Sequence, residues 1–229
     1  IKSSADIGLN MCAITLLYKE GYFKQRIDDD GNQTETYPKF DPYPLLDKLD
    51  LTFKLRLRNR DVFIEVYQYK YTGINGHELP VYFLDTDCEE NFPDDQIISL
   101  RLYSGDKDHR ILQEAILGFG GMKLLDALGQ ESIKKYHMNE GHCSFLVLDL
   151  LEKYHGDEKK VREQCHFTTH TPVPAGHDHF SYSRVEKLLK GLLPKRLKLP
   201  SLVQNGVFHM TELGSVSYTH LRAHETTCD

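Results

Sequence analysis

The chain has 229 residues, 40% of them hydrophobic and 27% charged, with a formal net charge of −6; that composition suits a folded chain with one substantial core or two small ones. Its pI of 6.1 and mean hydropathy of −0.48, with no basic run or aromatic–basic stripe and no apolar stretch of transmembrane length, argue against nucleic acid and membrane as partners. IKSSADIGLN has none of the three parts of a signal peptide, and the five cysteines, odd in number and without paired spacing, read as reduced thiols of a cytoplasmic protein.

Met11 to Leu17, flanked by Gly8 and Gly21, is a continuous apolar run and predicts a buried strand of a parallel sheet. Asp30-Gly31 is a hairpin signal between Tyr22–Ile27 and Gln33–Tyr37. Pro38, Pro42 and Pro44 then mark a loop. From Leu51 to Tyr71 the pattern is β: Phe53, Leu55 and Leu57 alternate with Lys54, Arg56 and Arg58, and Val62, Ile64 and Val66 alternate with Phe63, Glu65 and Tyr67. Asn75-Gly76 is a further tight turn, and Leu79 to Thr86 a further strand.

After Asp106 the texture changes. Ile111, Ala115, Leu117 and Phe119, then Met122, Leu124, Leu125 and Leu128, recur at helical spacing, with Asp106 or Asp108 as cap and Gly129 as stop. A short strand, IKKYHMN, precedes a helix through HCSFLVLDLLEKYHG. A helical piece over Asp157–Gln164 leads to the strand CHFTTH, and an amphipathic helix follows near Tyr182–Leu189. Helix alternating with strand is the signature of a parallel sheet with crossover helices. Ligands of such sheets bind at the carboxyl ends of the strands. Two loops then share one working edge: MNEGH and HTPVPAGHD.

Four motifs carry candidate chemistry. GFGG (Gly118 to Gly121) lies inside a helical pattern rather than between a strand and a helix, so close helix packing explains it better than a phosphate loop. The four histidines of HFTTHTPVPAGHDHF, His166, His170, His177 and His179, invite a metal. Yet four strand residues span about 13 Å, HExxH is absent, and no Cys pair or carboxylate triad completes a set; no metal is expected. No GxSxG or Cys–His arrangement supports a nucleophilic hydrolase, and Cys143 sits on an apolar face. What remains is a polar, sugar-type site from Asn139, Glu140, His142, Thr169 and His170 on two adjacent strand ends. The residues alone leave open a plainer account, in which Asn139 and Glu140 cap the next helix and His170 is a core residue.

LLYKEGYFKQRIDDDGNQTETYP, DHRILQEAILGFGGMKLLDALG, YHMNEGHCSFL and FTTHTPVPAGHDHF, in that order, resemble consecutive blocks of the bacterial α-glucan (glycogen/maltodextrin-type) phosphorylases. The similarity runs from Ile1 to about Leu213. It implies an α/β fold of GT-B type, this chain being part of a Rossmann-like N-terminal domain with a β-rich insertion. It also implies transfer of a terminal glucosyl unit from an α-1,4-glucan to inorganic phosphate, giving α-glucose 1-phosphate with retention, and allows a homo-oligomeric parent enzyme. Pyridoxal 5′-phosphate is the implied cofactor, with its lysine in a C-terminal domain outside this chain. By the same resemblance His170 is the active-site histidine, contacting the 6-hydroxyl of the reacting glucose, with its backbone carbonyl facing the developing positive charge. Asn139, Glu140 and His142 match an Asn-acid-x-His motif beside that sugar, with Thr169 next to it. The acid is aspartate in longer, animal-type members and Glu140 here. Arg110, Gln113 and Glu114 fit a family-typical helix start and read as structural or interdomain.

Two alternatives stand beside this one. A nucleotide-sugar glucosyltransferase of the synthase type expects a KTGGL-like donor loop that the chain does not show. A non-catalytic glucan-binding domain expects an exposed aromatic platform, and the sequence has no tryptophan. The first residue is Ile1, and VSYTHLRAHET (Val216 to Thr226) resembles a translated sequencing adapter. The chain therefore reads as a gene fragment: 1–213 native and 214–229 a non-native tail.

Overall fold

The structure, a computed structural model, describes residues 1–102, 105–130, 132–171, 173–194, 203, 205–216 and 222–223. They divide into two compact units, one of residues 1–54 and 62–113, the other of residues 55–61 and 114–229. The fold is mixed α/β, with parallel and antiparallel strand pairs.

The first unit begins with α1 (Lys2–Asp6) and β1 (Ala13–Leu16), followed by the hairpin β2 (Lys24–Ile27) and β3 (Gln33–Thr36). As expected from Asp30-Gly31, β2 and β3 pair antiparallel, Ile27 opposite Gln33, and every residue of both strands is exposed. The main sheet adds β4 (Asp47–Leu57), β5 (Arg60–Thr72) and β6 (Glu78–Asp85), in the order β1-β6-β5-β4. β1 runs parallel to β6, Ala13 opposite Val81, whereas β5 and β6 are antiparallel. The alternation read from the sequence holds: Phe53, Leu55, Leu57, Val62, Ile64 and Val66 are all buried. The β run splits at Arg58-Asn59, where both residues have positive φ (52° and 61°), the conformation of a type I′ turn. Without glycine there, the turn carried no sequence signal.

Beside β6 lies a buried polar knot. Asp85, fully buried, accepts hydrogen bonds from Tyr43 Oη (2.8 Å), Ser99 Oγ (2.9 Å) and the Asp87 backbone N–H (3.0 Å), and pairs with Lys19 Nζ at 3.2 Å. Burial and the Asp85 hydrogen bond push the Tyr43 phenol well above its usual range. The short α2 (Pro93–Gln96) follows, and Gln113 donates to the carbonyls of Ile98 and Arg101, both at 2.9 Å. A buried carboxylate is tolerable only when its lone pairs are satisfied in this way.

The helix expected after Asp106 is α3 (Lys107–Ala115), a π-helical segment over Ile116–Gly120, and α4 (Gly121–Ala127). Asp106 Oδ1 accepts the His109 N–H at 3.0 Å, as a cap does. The parallel pair β7 (Tyr136–Asn139) and β8 (Cys165–Thr169) is joined through α5 (Leu146–Lys153) and α6 (Glu158–Gln164), with Met138 opposite Phe167 and Asn139 opposite Thr168. Asp157 caps α6 by accepting the Lys160 N–H. β9 (His179–Ser181) leads into α7 (Tyr182–Leu189) and pairs antiparallel with β10 (Val207–His209); α8 (Met210–Val216) follows. β11 (Arg222–Ala223) lies parallel to β8 beside Thr168 and Thr169, and the other residues beyond Val216, including Cys228, lie outside the described residues. Among the described residues no helix is long and apolar enough to cross a membrane.

The core of the second unit is aromatic. Phe119 stacks on Phe145 (centroids 5.5 Å apart), Phe145 meets Phe208 edge-on at 6.3 Å, and Tyr182 stacks on Phe208 at 5.9 Å. Close packing is what GFGG serves here. A Cβ on Gly118 would stand 2.8 Å from Phe145 Cβ and 2.9 Å from the Leu146 nitrogen, leaving no room for a side chain. Gly118→Ala gains about 1 kcal/mol of helix propensity, but the overpacking is directed at backbone and costs more. The expected net loss is about 1–2 kcal/mol of stability, read as a lower urea midpoint; an unchanged or raised midpoint would refute the packing role.

Candidate functional site

The site is built on the carboxyl ends of β7 and β8. Their parallel register puts Asn139 beside Thr168, and the Glu140 N–H continues the ladder by donating to the Thr168 carbonyl at 2.8 Å. Glu140 then takes φ 64° and ψ 179°, a region populated almost only by glycine. From there a 3₁₀ turn, Gly141–Cys143, carries the chain toward α5.

The strained backbone holds a buried carboxylate, Glu140 being 8% exposed. Its Oε1 accepts the backbone N–H of His170 at 2.5 Å, the N–H of Thr171 at 3.0 Å and the Thr171 hydroxyl at 3.2 Å. Its Oε2 accepts the Thr169 hydroxyl at 3.1 Å. Burial alone would raise this carboxyl's pKa, but the hydrogen bonds from His170, Thr169 and Thr171 outweigh it and hold the group below its ordinary value. Glu140 therefore clamps the last residue of β8 and the two that follow it. Beyond them, Gly176 approaches so closely that a Cβ would stand 2.2 Å from Thr171 Cγ2, which folds the loop back on itself.

The structure thus brings Glu140, Thr169 and His170 together, as the shared strand edge suggested, and leaves the His170 residue exposed. Asn139 ends β7 and is exposed; His142 is half-buried in the 3₁₀ turn. His142 Nδ1 lies 3.7 Å from Asp178 Oδ2 and 4.0 Å from Glu114 Oε1, and Glu114 is 1% exposed. These two carboxylates were missed as site residues in the sequence. Glu114 read as part of a helix start, and Asp178 sat between two histidines that drew the attention. One ligand atom from each of Glu114, His142 and Asp178 falls within 4.8 Å of the others, so these are the described residues that could hold a cation.

The four histidines of HFTTHTPVPAGHDHF separate. His166 pairs across the ladder with His137, His177 Nδ1 is 2.8 Å from Thr211 Oγ1, and His179 stacks edge-on against His209 with centroids 4.5 Å apart. Pro172, expected to help turn the loop, lies outside the described residues. Burial raises the Cys143 thiol to about 12, which makes it a poor nucleophile at neutral pH.

The carboxyl edge of β7 and β8 thus gathers a clamped strand-end loop, an exposed histidine and half-buried hydroxyl and imidazole groups on an α/β framework. Comparison with known proteins adds relatives to that geometry. Over most of its length the chain is a homologue of the maltodextrin and glycogen phosphorylases. It is 37% identical to the maltodextrin phosphorylase of Thermococcus litoralis over 97% of its own length and 28% of that protein's. It is 35% identical to the glycogen phosphorylase of Mycobacterium tuberculosis, covering 82% of this chain and 23% of the relative. For the glycogen phosphorylase of Aquifex aeolicus the identity is 34%, over 82% and 28% respectively. The chain therefore spans about a quarter of the length of these relatives. No protein-family model matches it.

The clamp has a pH signature. Because the folded-state pKa of Glu140 is depressed, its contribution to stability is complete above the unfolded value of about 4.3 and is lost as pH falls through the folded value. Glu140→Gln is expected to cost about 2 kcal/mol at neutral pH, and the gap between variant and wild type should shrink on acidification below about pH 4. Urea denaturation of both proteins across that range measures it; a gap independent of pH would rule out the carboxylate as the source.

Proposed function

We propose that the chain is a partial N-terminal domain of an α-glucan phosphorylase and carries part of its glucosyl-binding site. The intact enzyme would transfer the terminal glucosyl unit of an α-1,4-glucan to inorganic phosphate and release α-glucose 1-phosphate with retention. The reading rests on similarity to maltodextrin and glycogen phosphorylases over 82–97% of the chain. The observation that carries it to particular residues is the bond set from Thr169, His170 and Thr171 to Glu140.

In this reading His170 is the catalytic histidine. The Thr171 N–H, which shares a peptide unit with the His170 carbonyl, is bonded to Glu140, so that carbonyl is held in a fixed direction, and a fixed carbonyl dipole stabilises a positively charged transition state without reorganising. Asn139, His142 and Thr169 supply donors and acceptors for sugar hydroxyls. The architecture would be of GT-B type with the β-rich first unit as an insertion, in a cytoplasmic protein, and residues 214–229 would be a non-native tail.

The cofactor would be pyridoxal 5′-phosphate, whose phosphate group assists proton transfer. Its attachment lysine would lie outside this chain. The residues here would bind and orient the glucan.

The complete enzyme should release glucose 1-phosphate from maltodextrin only when phosphate is present; release that instead requires a nucleotide-sugar donor would favour a synthase. In that enzyme His170→Ala should lower kcat by about a hundredfold or more with fold and cofactor content intact. Activity within a few-fold of wild type would remove His170 from the mechanism. The 229-residue chain alone is expected to show no turnover, since the chemistry needs groups held in place from both sides of the bond being broken.

A further inference from the structure

We propose that Asp178 is a positioning residue for His142: with Glu114 it holds the imidazole in the tautomer that carries its proton on Nδ1, leaving the Nε2 lone pair to accept a hydrogen bond from a glucan hydroxyl. The inference rests on the glucosyl-site reading above and adds a residue and a protonation state to it.

Both carboxylates face the same ring nitrogen. Asp178 Oδ2 is 3.7 Å and Glu114 Oε1 4.0 Å from Nδ1. Two negative charges on one side of a neutral imidazole favour the proton on the nitrogen nearest to them, and the other nitrogen is then an acceptor. The separations exceed a formed hydrogen bond, as contacts in ligand-free sites often do before they tighten around substrate. No bond is needed for the bias, since charge acts across this gap through a partly buried medium: Glu114 is 1% exposed, and the side chains of His142 and Asp178 are each 28% exposed.

The three groups are placed by backbone rather than by chance contact. The Asp178 carbonyl accepts the Met210 N–H at 3.0 Å, where β10 passes into α8. The turn carrying His142 packs on the same point, because a Cβ on Gly141 would stand 3.1 Å from both Met210 Cβ and the Thr211 nitrogen. His142 and Asp178 are thus registered against one shared element, while Glu114 lies in the last turn of α3, two residues before the π-helical segment.

A divalent cation is the competing occupant of the three ligand atoms. Cis donors about 2.1 Å from a small octahedral ion stand about 3 Å apart. The observed 3.7 and 4.0 Å are wider than that, which favours orientation of the ring over ligation.

Long-range proton–nitrogen correlation spectra of the ¹⁵N-histidine-labelled chain, recorded at about pH 8 where an ordinary histidine is neutral, read the tautomer directly. The proposal expects His142 with its proton on Nδ1 in wild type. It expects a shift toward the Nε2–H form in Asp178→Asn, and the wild-type pattern in Asp178→Glu. In the complete enzyme Asp178→Asn should lower kcat/KM for maltodextrin about tenfold, the weight of one hydrogen bond to a hydroxyl, with Asp178→Glu recovering most of it and cofactor content unchanged in both. A wild-type ring protonated on Nε2, or a tautomer indifferent to Asp178→Asn, overturns the proposal. So does saturable broadening of the His142 signals by manganese chloride, which would make the three residues metal ligands. If the complete enzyme lacked phosphorolysis while the tautomer behaved as stated, the glucan reading would fail and the positioning role would stand.

Discussion

One carboxylate organises the working edge of the second unit. Glu140 sits in a backbone conformation that ordinary side chains avoid, and it is withdrawn from water. Both are costs, and both are offset by four hydrogen bonds from three consecutive residues of the neighbouring strand end. A buried carboxylate with donors on both oxygens is far stronger as an organiser than a neutral acceptor. Without it the backbone N–H groups of His170 and Thr171 would lose these acceptors and the loop after β8 its fixed direction.

The clamp works because everything around it is stiff. The β7–β8 register sets Glu140 opposite the residues it must reach, and its own N–H ties it to Thr168. A few residues on, Phe145 is wedged between Phe119 and Phe208, and Gly118 lets the π-helical segment approach Phe145 and Leu146 directly. The strained residue is thus anchored on one side by a ladder and on the other by aromatic packing. Strain of this kind persists only where the surroundings over-determine it. The same logic explains Gly176, where a side chain would collide with Thr171, one of the clamped residues.

Much of this was legible in the sequence, and the gaps have physical causes. Period-two alternation gave β4 and β5 because each strand buries one face; Gly129 and Gly156 stopped helices as left-handed residues, both with positive φ. The shared edge of the MNEGH and HTPVPAGHD loops followed from the helix–strand alternation alone. The turn at Arg58-Asn59 was invisible because neither residue advertises positive φ as glycine does, although asparagine tolerates it. The widening of the helix at Ile116–Gly120 has no periodicity signature over so few residues. Glu114 and Asp178 were missed for a different reason: their importance lies in what they face, and Glu114 is 28 positions from His142 and Asp178 is 36 in the other direction. Only tertiary packing joins them.

Acidic and imidazole side chains at this edge therefore divide by what lies opposite them, and not by type. Glu140 meets backbone N–H groups and hydroxyls, which stabilise its charge and turn it into a clamp. Glu114 and Asp178 meet an imidazole nitrogen, so their charge acts on the ring. His137 and His177 meet threonine hydroxyls, and His179 meets another ring, which leaves those histidines with structural partners rather than a common ion. Glutamate at position 140 in place of a shorter acid is consistent with this division: one side chain here spans from Thr169 to Thr171 and bonds at both ends. The density of histidine that first suggests a metal is better explained by separate local settings, with His170 exposed at a strand end where Glu140 holds its backbone N–H.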